Sequence, residues 1–94
     1  DALFEAVREE CDRAVWSRGV ELVRKGAVHA QTSSAAEVVM RIEGRAGRAV
    51  PAVRLRPREL TWECDCDGPD DPCEHVAAAV IAWRHARAAG ETLP

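Results

Sequence analysis

The stretch that decides the reading is Trp62–Trp83, WECDCDGPDDPCEHVAAAVIAW. It places Cys64, Cys66, Cys73 and His75 within twelve residues, immediately before an alanine-rich helical run. Three thiols and one imidazole are a ligand set for a closed tetrahedral zinc site. Both ligand pairs, Cys64-x-Cys66 and Cys73-x-His75, are spaced i, i+2, and on extended chain such side chains point the same way. Gly68, Pro69 and Pro72 in the intervening Asp67–Pro72 favour a tight, non-helical return. His75 is expected in the first turn of the last helix, so the ion would tie a strand end to a helix start. Binding free energy then becomes folding free energy.

The spacing differs from the C-x2-C…H-x3-H pattern of the DNA-reading ββα fingers. Four protein ligands leave no open position for a catalytic water. An iron–sulfur cluster would have to recruit the distant Cys11, and a Cys73–His75 nucleophile pair lacks an identifiable orienting partner or oxyanion hole. A redox pair, Cys64 with Cys66, is the remaining alternative. Zn2+ is the expected cofactor and the chain is not expected to be an enzyme.

Working outward, residues 2–15 are predicted as one helix, with Asp1 as its cap and Phe4, Val7, Cys11 and Val15 on its apolar stripe. Cys11 then reads as a buried small hydrophobe. Trp16–Gly19 reads as a junction, with Ser17 capping a second helix over 18–25 that Gly26 ends. Four strand candidates follow. Val28–Thr32 alternates. Glu37–Glu43 sets Val38, Met40 and Ile42 against Glu37, Val39, Arg41 and Glu43. Arg48–Arg56 follows a Gly44–Gly47 turn, and Leu60–Cys64 sets Leu60, Trp62 and Cys64 on one face. Short connections favour an antiparallel meander. Pro51 argues for an edge or a bulge in the third strand. The last helix spans about Glu74–Ala89, with Val76, Val80 and Trp83 on a stripe beside Ala77, Ile81 and Arg84, and Gly90 ending it. The fold class is therefore α+β: an N-terminal helical segment, a small antiparallel sheet of three to four strands, and a C-terminal helix. Residues 1–94 form a single domain, divided into a helical lead-in (1–26), a β-meander (28–64) and the finger with its helix (62–89).

Ninety-four residues with 47% hydrophobic and 31% charged side chains fit an ordinary globular domain. No apolar run is long enough to cross a bilayer. The acidic, amphipathic N-terminus DALFEAVREE is not a signal peptide, and an initial Asp in place of Met leads us to expect a piece of a longer protein. A net charge of −3 gives no overall attraction to nucleic acid. Its distribution is uneven. Arg41, Arg45, Arg48, Arg54, Arg56 and Arg58 stand against the single acid Glu43, six minus one giving +5 over 41–58. Residues 59–74 carry seven acids and no lysine or arginine. The arginines could form a phosphate-binding face, or a solvated strand face paired with the acidic finger. Trp16, Trp62 and Trp83 could stack on bases, but their stripes favour core packing. His29 and His85 read as surface histidines. Glu63 and Glu74 flank ligands and could orient them.

Cys64-x-Cys66, a six-residue loop and Cys73-x-His75 followed by Val76–Val80 resemble the SWIM zinc finger, CxC–xn–CxH. Bacterial SWIM proteins commonly carry an upstream "RG…L/Y…G.V" segment, which Arg18-Gly19, Leu22, Gly26 and Val28 match. The resemblance covers roughly residues 16–84. It implies a zinc-binding interaction module with Cys64, Cys66, Cys73 and His75 as ligands. Such a module would be intracellular and bacterial, and part of a larger protein, often beside a helicase-like ATPase. It implies contact with DNA or other nucleic acid, or with protein, and no membrane association. One departure is the acidity around the ligands (Asp65, Asp67, Asp70, Asp71, Glu74), which moves the expected phosphate contacts off the finger and onto the arginine-bearing strands.

Overall fold

The computed structural model describes residues 2–34, 36–43, 51–66 and 70–89. The elements are α1 (Ala2–Glu10), α2 (Arg13–Arg24), β1 (Val28–Ser33), β2 (Val38–Ile42), β3 (Ala52–Arg56), β4 (Thr61–Cys64) and α3 (Glu74–Ala89). The predicted Asp1 cap, the Gly44–Gly47 turn with Arg45 and Arg48, Asp67–Pro69 and Gly90 lie outside the described residues.

The first helix ends earlier than its periodicity predicts. Asp12 adopts extended backbone, and its carboxylate accepts the Ala14 N–H at 3.1 Å, so it caps α2. An aspartate that can satisfy a helix's free N–H groups competes with helix continuation. The break therefore falls at Cys11-Asp12, and Trp16–Gly19 lies inside α2 with Ser17 not a cap. Gly26 does end α2. It sits at φ +71°, its N–H bonds Val23 O and the Ala27 N–H bonds Leu22 O, each at 3.0 Å. This is the left-handed closure that glycine makes at least cost.

The four strands pair antiparallel in the order β1-β2-β3-β4. A register shift between Ala30 and Thr32 breaks the alternation expected along β1. Val38, Met40 and Ile42 point into the core, as do Val53 and Leu55. Two expectations fail on the sheet. β3 is an interior strand, and Pro51 precedes it, where a missing N–H interrupts no ladder; the Pro51 carbonyl accepts the Ile42 N–H at 3.1 Å. Leu60 belongs to the Pro57–Leu60 turn, at φ +56° and 44% exposed, so β4 begins at Thr61.

α3 is buried on more sides than a single stripe requires. Val76 to Ile81 are all buried, including Ala78 and Ala79. A helix that is apolar all round is an interior helix, and α3 lies between the sheet on one side and α1 and α2 on the other. Leu3, Phe4 and Val7 of α1 complete the core. The result is an N-terminal helical layer, a four-stranded antiparallel sheet and a C-terminal helix, with the Cys/His cluster between β4 and α3. No described helix is long and apolar enough to cross a membrane.

Candidate metal centre

The site starts where the chain leaves the sheet. Asp65 is pinned to β3 twice: its carboxylate accepts the Ala52 N–H at 2.8 Å, and its own N–H donates to Ala52 O at 3.2 Å. This anchors the Cys64–Cys66 segment to β3, and both thiols reach one site. The return is held from the sheet as well, because Trp62 Nε1–H donates to Asp71 Oδ1 at 3.1 Å. The Asp71–Pro72 peptide is cis. Pro72 and Cys73 are buried, and the Cys73 carbonyl accepts the Ala77 N–H at 3.1 Å, so Cys73 sits at the threshold of α3. His75 follows in the first turn.

These elements bring Cys64, Cys66, Cys73 and His75 together, with one donor atom from each within 4.8 Å of all the others. Cys66 Sγ lies 3.6 Å from Cys73 Sγ, and His75 Nδ1 lies 3.7 Å from both Cys64 Sγ and Cys73 Sγ. A tetrahedral ion with sulfur bonds of about 2.3 Å separates its sulfur ligands by about 3.8 Å. The closest donor pairs are already at that spacing, the cluster could hold a metal ion, and His75 presents Nδ1 to two of the thiols.

Cys64, Cys73 and His75 are each perturbed by their neighbours in the cluster. Cys73 is pushed down to about 3, first by the hydrogen bond from Cys64 and then, against burial, by His75 and the Val76 N–H. Cys64 is pushed up, first as the partner that keeps the shared proton and then by burial. His75 is raised by the Cys73 sulfur, against burial. The site thus stores thiolate character at Cys73, beside the N-terminus of α3, where helix N–H groups favour negative charge.

Outside the cluster the sequence-predicted residues fare differently. Cys11 is half-buried at the α1–α2 junction, its Sγ 3.8 Å from the Pro72 carbonyl, and burial pushes its thiol up. It touches the metal loop but is not one of the four donors. Of the arginine face, Arg54 meets Glu37 at 3.8 Å, and Arg56 meets Glu37 at 3.2 Å and Glu63 at 3.1 Å. Arg41 Nε donates to Gln31 Oε1 at 2.7 Å, and Arg58 is exposed in the β3–β4 turn. The Arg54 and Arg56 ion pairs join β3 to Glu37, just before β2, and to Glu63 on β4. His29 is exposed on β1 and meets Glu43 at 3.2 Å; His85 is exposed on α3. Trp83 is buried, while Trp16 and Trp62 are half-buried against the core, so packing is the role the structure gives all three.

The loop's acids are met from α2. Arg18 Nε lies 2.9 Å from Glu74 Oε1, and Arg18 Nη2 lies 3.7 Å from Asp70 Oδ2. Sequence reasoning passed over this contact. The available signal was that residues 59–74 contain no cation of their own. Gly19, next to Arg18, explains the approach of α2: a Cβ there would stand 2.6 Å from Ala77 Cβ and 3.0 Å from the Ala78 nitrogen. The Arg18-Gly19 pair is therefore a mid-helix docking point and not a helix end.

Comparison with known protein families, curated proteins and solved structures finds no match for the chain.

Proposed function

We propose that the chain is a structural zinc module of the SWIM type, with Cys64, Cys66, Cys73 and His75 as the ligands of one Zn2+. The observation that carries the reading is the convergence of four donors, within 4.8 Å of one another, across the β4–α3 boundary. Zinc is the ion best suited to three thiols and an imidazole in a closed tetrahedron. With all four positions filled by protein the ion has no site for substrate, so its role is to join sheet to helix and the module is not an enzyme. Elemental analysis of purified protein should give about one zinc per chain. Chelation should unfold it, and Cys73→Ser should abolish uptake. A chain that folds equally well without metal would overturn the reading.

As part of a larger protein, the module is proposed to contact DNA or other nucleic acid through the sheet face carrying Arg41, Arg54, Arg56 and Arg58, with Arg45 and Arg48 alongside in sequence. The mixed charge of that face, where Glu37 holds both Arg54 and Arg56, favours a second reading: protein–protein contact, or regulation of a helicase-like ATPase, without direct DNA contact. Salt-dependent DNA binding that weakens in Arg41→Ala and Arg54→Ala supports the first. Absence of binding at low salt supports the second. Localisation inside a bacterial cell goes with the same resemblance.

A further inference from the structure

We propose that Arg18 is the positioning residue of the metal loop, and that it slows the escape of a bound ion. The inference rests on the zinc reading and adds a residue outside the ligand motif that sets how long the metal stays.

The geometry joins three contacts on one helix. Glu74 stands between the ligands Cys73 and His75, and its carboxylate takes the Arg18 Nε–H at 2.9 Å. Asp70, on the loop that returns to Cys73, takes the other arm of the same guanidinium at 3.7 Å. One residue further along α2, Gly19 lies against Ala77 and Ala78, and Ala77 closes the first helical hydrogen bond of α3 onto Cys73. The helix that carries the cation is therefore docked on the turn that carries two ligands. At the start of α2 the Cys11 thiol adds a fourth touch, at the Pro72 carbonyl.

Electrostatics gives this placement a consequence. Three thiolates around a dication leave a net charge of about −1, and Asp65, Asp70, Asp71 and Glu74 crowd the same loop. Loss of the ion leaves that cluster more negative, so the opened loop is driven apart by like charge. Arg18 bridges two of those acids and offsets the repulsion. The sheet grips the loop from the opposite side, through Trp62 to Asp71 and Asp65 to Ala52. Opening the loop on the helix side requires the Arg18 contacts to break. Because the Arg18 side chain is 49% exposed, the effect is modest and screened by salt.

The test is the rate at which zinc-loaded full-length chain gives up its metal to excess colorimetric chelator, followed by stopped flow at several NaCl concentrations. Arg18→Gln should bind zinc at wild-type stoichiometry and release it about two- to fivefold faster. Release from wild type should accelerate more steeply with salt than release from Arg18→Gln. Glu74→Gln should match Arg18→Gln, and the double variant should be no faster than either single one. Arg18→Lys should restore part of the delay. Arg24→Gln removes a more exposed pair with Glu21 on the same helix, away from the loop, and should leave the rate unchanged. A merely structural role would lower the melting temperature without changing the salt dependence. Wild-type release rates in both Arg18→Gln and Glu74→Gln, with one zinc bound, would overturn the positioning role and leave the zinc reading standing. A wild-type chain that takes up no zinc would overturn both.

Discussion

Gly19 of α2 and Ala77 of α3 touch so closely that a methyl group on Gly19 would fall 2.6 Å from the Ala77 Cβ. That separation is below any real contact between two carbons, and the neighbouring Ala78 nitrogen at 3.0 Å is backbone that cannot rotate aside. In an exposed helix, glycine to alanine is favourable by about 1 kcal/mol. Here the sign reverses. Gly19→Ala should destabilise the folded chain by about 1–3 kcal/mol through overpacking, and Gly19→Val by more. Urea unfolding of the zinc-loaded protein measures this, and Ala77→Gly should recover part of the loss. A Gly19→Ala chain more stable than wild type would show that α2 and α3 are further apart than described.

Asp12 is the second such point. Its carboxylate accepts the Ala14 N–H from an exposed position, with no packing role to confuse the reading. Asp12→Ala should cost about 0.5–2 kcal/mol, and Asp12→Asn should be close to neutral because the amide oxygen accepts the same bond. Equal losses in the two variants would point to charge, not capping.

These residues also show what the sequence could and could not reveal. Phe4, Val7, Cys11 and Val15 keep helical spacing across the Cys11-Asp12 break, and α2 begins only three positions after the last residue of α1. Periodicity is blind to such a break, and an aspartate reads equally well as polar face or as cap. Gly19 was legible as an interruption, but its partner Ala77 is distant in sequence, so a helix contact resembled a helix end. Ala78 and Ala79 carry too weak a hydrophobic signal to reveal that α3 is interior. The meander was legible because its connections are short. The Cys/His cluster was the most legible feature, because all four donors lie between positions 64 and 75 and their geometry is local. Arg18 was not, because its acids are on the far side of the sheet in sequence.

Glu37 sets the charge of the sheet face. It meets Arg54 at 3.8 Å and Arg56 at 3.2 Å. If that face contacts nucleic acid, Glu37→Gln should tighten binding and steepen its salt dependence, by up to about 0.9 in log–log slope for each phosphate gained. Arg54→Ala should do the reverse. Fluorescence anisotropy with a labelled duplex across a range of salt reads both. Two variants that leave binding unchanged from wild type would remove the sheet face from DNA contact and strengthen the protein-partner reading.

The pH dependence of metal uptake follows from His75. Its pKa is raised above the ordinary 6.5, chiefly through the hydrogen bond with Cys73 and against the effect of burial. Metal uptake requires Nδ1 to shed its proton before it can ligate. As the pH falls, zinc affinity should therefore begin its extra decline above pH 6.5, earlier than an unperturbed histidine would cause. The logarithm of zinc affinity against pH should therefore steepen as His75 becomes protonated. Competition titrations with a chelator of known affinity measure the curve. A steepening that sets in only at or below pH 6.5 would show that Cys73 does not hold the His75 proton.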